Sequence, residues 1–399
     1  MTSASSRSPQ RARSRGFSIV ELMVSVVIGM LAIMFATRMI TGGEKNKQAA
    51  LGGSDAMQNG MLAMFAISND ANQAGFGLND PILAGCNLVF SDEGDYTMAK
   101  DARGGVPSQP LAAAIIDNNG ADPDVISLYS GSSLTGTGTV RVLGDYTGGS
   151  AINIDRDPYG FAIDDVIVVA PEKVGSANCA LAQVSSKSAA AAKTPFLRFD
   201  KTNDQRFNAG ELGAQYGLNA ARIFNLGPAS KLSFHTWSVS SDGFLRLRAT
   251  DMAGSGASPA VIADNIVSIK AQYGFDTRQG VAFKPENGMQ VLRWTANMID
   301  ADGDGVVGSA GDYQHIAALR LAVVARGKFP ERADAAGTCN ATPALPVVFG
   351  AAEPAGVTPE PVEVNVAVSG DPIDWKCYRY RAFETIVPIR NTAWRPSAW

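Results

Sequence analysis

The sequence predicts an α+β fold, with a long apolar helix at the N-terminal end followed by an elaborated, antiparallel β-rich domain. Three observations predict it. Residues Phe17 to Thr37 contain a single ionisable side chain, Glu21. Met57, Met61, Met64, Phe65 and Ile67 then recur at three- and four-residue steps, the helical period. Beyond about residue 80 the texture changes to short Val/Ile/Leu runs punctuated by Gly, Asn, Asp and Ser, the pattern of strands and turns.

The first sixteen residues carry Arg7, Arg11, Arg13 and Arg15 and no acid. The apolar run behind them, at about 1.5 Å per helical residue, reaches roughly 30 Å, the thickness of a bilayer core. Residues 17–40 are therefore expected to form one membrane span, with the basic end on the cytoplasmic side. A cleaved secretory signal is disfavoured, because no Ala-x-Ala-like site follows Met34. A carboxylate inside such a span costs on the order of 2.5–3.5 kcal/mol on insertion scales, so Glu21 needs a compensating role. Arg38 can snorkel to the far interface.

Residues 41–76 read as a helical continuation or linker whose methionine-rich face packs onto the domain, ending at Ala74-Gly75-Phe76-Gly77. Gly42-Gly43 and Gly52-Gly53 fall inside it, where each glycine costs up to about 1 kcal/mol relative to alanine, so a bend or melted turn is expected there. Residues 77–399 form the β-rich domain. Strands are expected at 124–130, 165–170, 231–239, 243–248, 266–275, 316–325 and 378–389, with Ser240-Ser241-Asp242 as a tight hairpin connection. The Gly/Ser-rich stretch 130–150 and the Pro-rich stretch 341–361 read as surface loops.

Charge and composition exclude several functions. Removing the four leader arginines from 34 Lys+Arg leaves 30 against 38 Asp+Glu, so the formal charge moves from −4 to −8. An acidic chain without a basic aromatic patch is a poor nucleic-acid partner. With only His235 and His315, and no phosphate-binding loop, nucleophile elbow or His-Glu-x-x-His, no enzymatic activity is expected. Cys86, Cys179, Cys339 and Cys377 all lie beyond the span, without a Cys-x-x-Cys, and read as two structural disulfides with three possible pairings. Loop-closure entropy weakly favours Cys86 with Cys179 and Cys339 with Cys377.

Asp300-Ala301-Asp302-Gly303-Asp304-Gly305-Val306 is the one stretch that offers ligand chemistry. Carboxylates at alternate positions followed by glycine can converge on a hard cation, and the spacing follows the first half of an EF-hand loop, with the Val306 carbonyl in the seventh position. Gly311 stands where the bidentate glutamate belongs, and Asp312 is one residue late. The stretch reads either as a Ca²⁺ site of Asp300, Asp302, Asp304, Val306 and Asp312 or as a solvated turn.

The junction Arg13-Ser14-Arg15-Gly16-Phe17-Ser18-Ile19-Val20-Glu21 resembles the processing site of type IV prepilins. The resemblance implies a pilin-like fold, a leader of residues 1–16 removed after Gly16 by prepilin peptidase, methylation of Phe17, and pairing of Glu21 with a neighbouring subunit's terminal amine during assembly. The tail Tyr378–Asn391, with its Arg390-Asn391 pair, and the stretch Asn265–Asp276 resemble PilW-type minor pilins more loosely. That resemblance implies a single-pass inner-membrane protein of a Gram-negative bacterium with a periplasmic domain, carried later into the pilus at the cell surface. Its partners would be other minor pilins, the major pilin and a tip adhesin, and its roles pilus assembly, adhesion and twitching motility. A minor pseudopilin of a type II secretion system is the alternative that shares the same N-terminus.

Overall fold

The computed structural model describes residues 18–132, 139–202, 204–334 and 336–392. The leader 1–16 and the Gly16-Phe17 junction lie outside them, as does part of the 130–150 stretch. A helix runs over Ile19–Gln73, and the chain divides into two units, one ending at Leu51 and one starting at Gly52. Helical backbone is maintained through Gly42-Gly43 and Gly52-Gly53, so the expected melted turn does not form.

In the first unit, Ile19–Ile40 is long and apolar enough to cross a membrane, with a mean hydropathy of 2.5. Large side chains are exposed all round it, from Ile19 and Val20 to Phe35 and Met39. A helix apolar on every face is suited to lipid or to other apolar helices.

The second unit begins with the remaining turns of the helix and continues into three main sheets that are mostly antiparallel. In spatial order, the six-stranded sheet holds Pro110–Leu111, Cys86–Val89, Cys179–Gln183, Asp165–Pro171, Ala221–Pro228 and Val140–Arg141. Its one parallel pairing is between the strands that begin with Cys86 and Cys179. The five-stranded sheet holds Ala260–Asp264, Phe244–Ala249, Ser233–Val239, Val125–Ser130 and Ala114–Asp117. The four-stranded sheet holds Arg293–Thr295, Ile266–Phe275, Ile316–Arg326 and the closing strand Tyr380–Pro388. The hairpin between the strands at 233–239 and 244–249 turns over Ser240–Gly243. Gly243 takes φ 83°, a conformation that a side chain would strain.

The helix face that packs takes in only part of the expected apolar set, with Ile67 buried and Met64 partly buried against the core. Ala56, Ala63, Ile67, Ala71 and Ala74 are buried in the main core, whereas Met57, Met61 and Phe65 are 49%, 55% and 70% exposed. Hydrophobicity alone favours the larger side chains. Close approach of backbone to sheet instead selects the small ones.

The Pro-rich stretch is mostly exposed, as expected, but part of it turns inward. Its Val348 and Phe349, with Val364 and Val366 just beyond it, pack on Val267, Ala322 and Val324, covering the second face of the four-stranded sheet. Both faces of Ile266–Phe275 are consequently buried. On that strand Lys270 pairs with Asp124 and donates to the carbonyls of Gly120 (2.8 Å) and Asp122 (3.0 Å), whereas Ser268 Oγ and Gln272 Oε1 are buried with no hydrogen-bond partner among the described residues. In the 130–150 stretch, Val140, Val142 and Tyr146 belong to a second core with Ile167, Val169 and Ile223, so this segment is also partly internal.

Candidate functional site

The residues with functional chemistry fall into three groups. The first is the apolar helix. Glu21 stands in its first turn, flanked by exposed Val20 and Leu22, and its carboxylate has no hydrogen-bonding partner among the described residues. The unsatisfied N–H groups of a helix N-terminus favour a negative charge there by about 0.3–1 kcal/mol when exposed, less than the cost of placing it in hydrocarbon. Within the apolar helix a partner from outside is what would make this charge affordable.

The second group fixes the end of the helix to the sheets. Asp70 Oδ2 lies 2.7 Å from His235 Nδ1 and accepts from Trp237 Nε1 at 2.8 Å, while Asp251 Oδ1 lies 2.8 Å from His235 Nε2. Burial works against the imidazolium, but hydrogen bonds and charge from Asp251 and Asp70 outweigh it and raise the pKa to about 9. His235 is therefore a cation at neutral pH. Ser233 Oγ is also 3.0 Å from Nε2. The order Ser233, His235, Asp70 matches a nucleophile, base and orienting acid, but Asp251 already holds Nε2. The ring has no lone pair free to take the serine proton, so this is a structural ion pair. Sequence reasoning missed it, because Asp70 is 165 residues from His235 and no local pattern joins them. The Arg390-Asn391 pair has a structural place here as well: the Asn391 side-chain amide donates to the carbonyls of Gln73 (3.2 Å) and Ala74 (3.1 Å), satisfying the helix C-terminus.

The third group is the acidic loop. Carboxylate oxygens of Asp300, Asp302 and Asp304 lie within 4.8 Å of one another. Backbone N–H groups shape the turn: Asp300 accepts from Gly303 (2.8 Å) and Gly305 (3.0 Å), Asp302 from Asp304 (3.0 Å), and Asp304 from Val306 (2.7 Å). The Val306 carbonyl accepts from Ser309 N at 3.1 Å and retains one lone pair.

Asp312 is placed differently from the other three. Its Oδ1 accepts from Ala301 N (2.6 Å) and Asp302 N (3.3 Å), and its Oδ2 from Gly308 N (2.8 Å) and Ser309 N (3.1 Å). With four donors on one carboxylate it anchors the loop instead of facing a cation. Burial pushes its pKa up to about 6 against those donors, with the Asp302 charge adding to the rise. A Cβ on Gly311 would lie 1.7 Å from Asp302 Oδ2, so a twelfth-position glutamate has no room. Three converging carboxylates are the type of donor set that a hard cation takes.

A cleft of about 660 Å³ beside the loop is lined by Thr277, Leu292, Arg293, Ile299, Asp300, Gly356 and Thr358. It pairs no nucleophile with a base. The cysteines pair as Cys86–Cys179, bridging the parallel strands with Cα atoms 6.0 Å apart, and Cys339–Cys377, with Cα atoms 4.8 Å apart.

Residues 11–37 match the prokaryotic N-terminal methylation motif. No curated protein and no solved structure gives a match. The motif supports a type IV pilin-like protein, pilin or pseudopilin, that is processed by prepilin peptidase and anchored in the membrane through its single N-terminal apolar helix.

Proposed function

We propose that the chain is a PilW-type minor pilin that takes part in initiating a type IV pilus and in its tip complex, supporting pilus biogenesis, adhesion and twitching motility. The methylation motif running into the apolar helix carries this reading. Supporting it are the size of the unit beyond Gly52, which exceeds what a simple filament subunit needs, and the closing strand with its Arg390-Asn391 end. The working mechanism is association, not catalysis. Prepilin peptidase cuts after Gly16 and Phe17 is methylated. Glu21 then meets a neighbour's terminal amine, while the β-rich domain, initially periplasmic, contacts other minor pilins, the major pilin and a tip adhesin. Glu21→Ala should leave both disulfides formed and the domain folded, yet remove the protein from sheared pili. Wild-type incorporation of that variant would overturn the assembly role.

A minor pseudopilin of a type II secretion system is supported by the same N-terminus, and neighbouring genes separate the two. Adhesin and minor-pilin genes favour the pilus, and secretion-channel genes favour the alternative. Calcium is a proposed ligand of Asp300, Asp302 and Asp304, supported by the convergence of their oxygens.

A further inference from the structure

The closing strand Tyr380–Pro388 is the edge of its sheet, paired on one side only, with Ile316–Arg326. Its ladder is unbroken by any bulge, from Ala318 opposite Pro388 to Arg326 opposite Tyr380. At one end Ile389 N donates to Ala317 O (3.0 Å), and at the other Arg379 O accepts from Gly327 N (2.8 Å). Ladder bonds alternate along antiparallel strands, so the odd-numbered residues bond inward, and Tyr380, Ala382, Glu384 and Ile386 turn their N–H and C=O outward. None of those four N–H groups has a backbone partner among the described residues. Pro388, in the same outward series, ends the row. Folded proteins ordinarily blunt long edges with bulges, charges or a cover; this one has no bulge and carries only Arg381 and Glu384 as charges.

The helix completes the site. Its Asn59 and Asp70 are bonded to Asp264 and His235 of the five-stranded sheet, which defines one flank. Gly60, at the centre of the packed face, touches Phe383 of the closing strand. At 100° per residue Met57, Met61 and Phe65 fall on the opposite flank, the side of the free edge. All three are about half exposed or more. A bare strand edge thus runs beside an apolar stripe.

We propose that this edge and stripe bind an extended segment of another exported subunit by strand addition. The row of backbone groups requires a strand, the methionine and phenylalanine stripe requires apolar residues at alternate positions on one face of it, and exposed Arg381 selects an acidic residue on that face. A second copy of this chain fits less well. The strand's one acid, Glu384, faces the other side and is held by Arg320 at 3.2 Å, which leaves Arg381 without a counter-charge. The inference deepens the association reading by naming a partner surface, and it rests on that reading only in taking the partner to be an exported subunit.

Photo-cross-linking in cells tests it, with p-benzoylphenylalanine in place of Phe65 in the full chain and adducts mapped by mass spectrometry. The expected adduct is one continuous segment of another exported protein with apolar residues at alternate positions. Ala382→Pro, which removes only an outward N–H, and Arg381→Glu, which leaves the backbone unchanged, should each lower its yield about tenfold, the equivalent of one lost bond of about 1.4 kcal/mol. Ala382→Ser should leave it intact. Unchanged yield in both variants, or adducts only with lipid, a second copy or this chain's own residues, would overturn the proposal. Filament incorporation scored in the same cells keeps the two readings apart. Adduct without incorporation contradicts the pilus role alone, and incorporation without adduct contradicts strand addition alone.

Discussion

Gly60 and Phe383 meet face to face: a Cβ on Gly60 would stand 2.1 Å from Phe383 Cε2. The contact joins the helix to the closing strand of the four-stranded sheet, 323 positions further along the chain. It explains why a glycine sits in the middle of a helical turn where alanine is the better helix former. Gly60→Ala gains at most about 1 kcal/mol of helix propensity, and overpacking costs roughly 1–3 kcal/mol. Thermal unfolding should therefore show a net loss of about 1 kcal/mol, recovered by Phe383→Leu in the same background. A stabilised Gly60→Ala protein would show that the ring moves aside freely.

The Asp70–His235–Asp251 cluster predicts a pH dependence. The imidazole is raised from 6.5 to about 9 on folding, so its contribution is fully present below pH 6.5 and is lost as pH rises through about 9. At 1.36 kcal/mol per unit this is on the order of 3 kcal/mol. Denaturant unfolding between pH 6 and 10 should show declining stability over that window, and His235→Gln should flatten the decline. Equal slopes for the two proteins would assign the pH dependence elsewhere.

Strand positions were legible in the sequence because short Val/Ile/Leu runs lie between strong turn residues. The expected 266–275 and 316–325 strands form at Ile266–Phe275 and Ile316–Arg326. The packed face of the helix was only partly legible. The apolar period pointed to Ile67 and Met64, which pack, and to Met57, Met61 and Phe65, which do not, while most of the packed face is marked by residue size, through Ala56, Gly60, Ala63 and Ala71. Long-range cover was equally hidden: nothing local in the Pro-rich stretch shows that Val348 and Phe349 close over Ala322 and Val324. In the acidic loop, alternate spacing identified the three converging aspartates, but four backbone donors give Asp312 a different task that only the fold supplies.

Calcium should raise the melting temperature of the protein and release or absorb heat on titration. With three carboxylates and no room for a bidentate acid at Gly311, a dissociation constant of about 10⁻⁴–10⁻³ M is expected. Asp302→Ala should abolish the heat. Identical calorimetric traces for the two proteins at millimolar calcium would leave the loop as a turn held by Asp312.

The central claim, that the N-terminal segment is processed as a prepilin, is tested most directly by mass spectrometry of the mature terminus in cells with an active prepilin peptidase. The account predicts a chain beginning at Phe17 with a methylated α-amine, the leader having been cut after Gly16. An intact Met1 terminus in such cells, or cleavage beyond Met34, would contradict it.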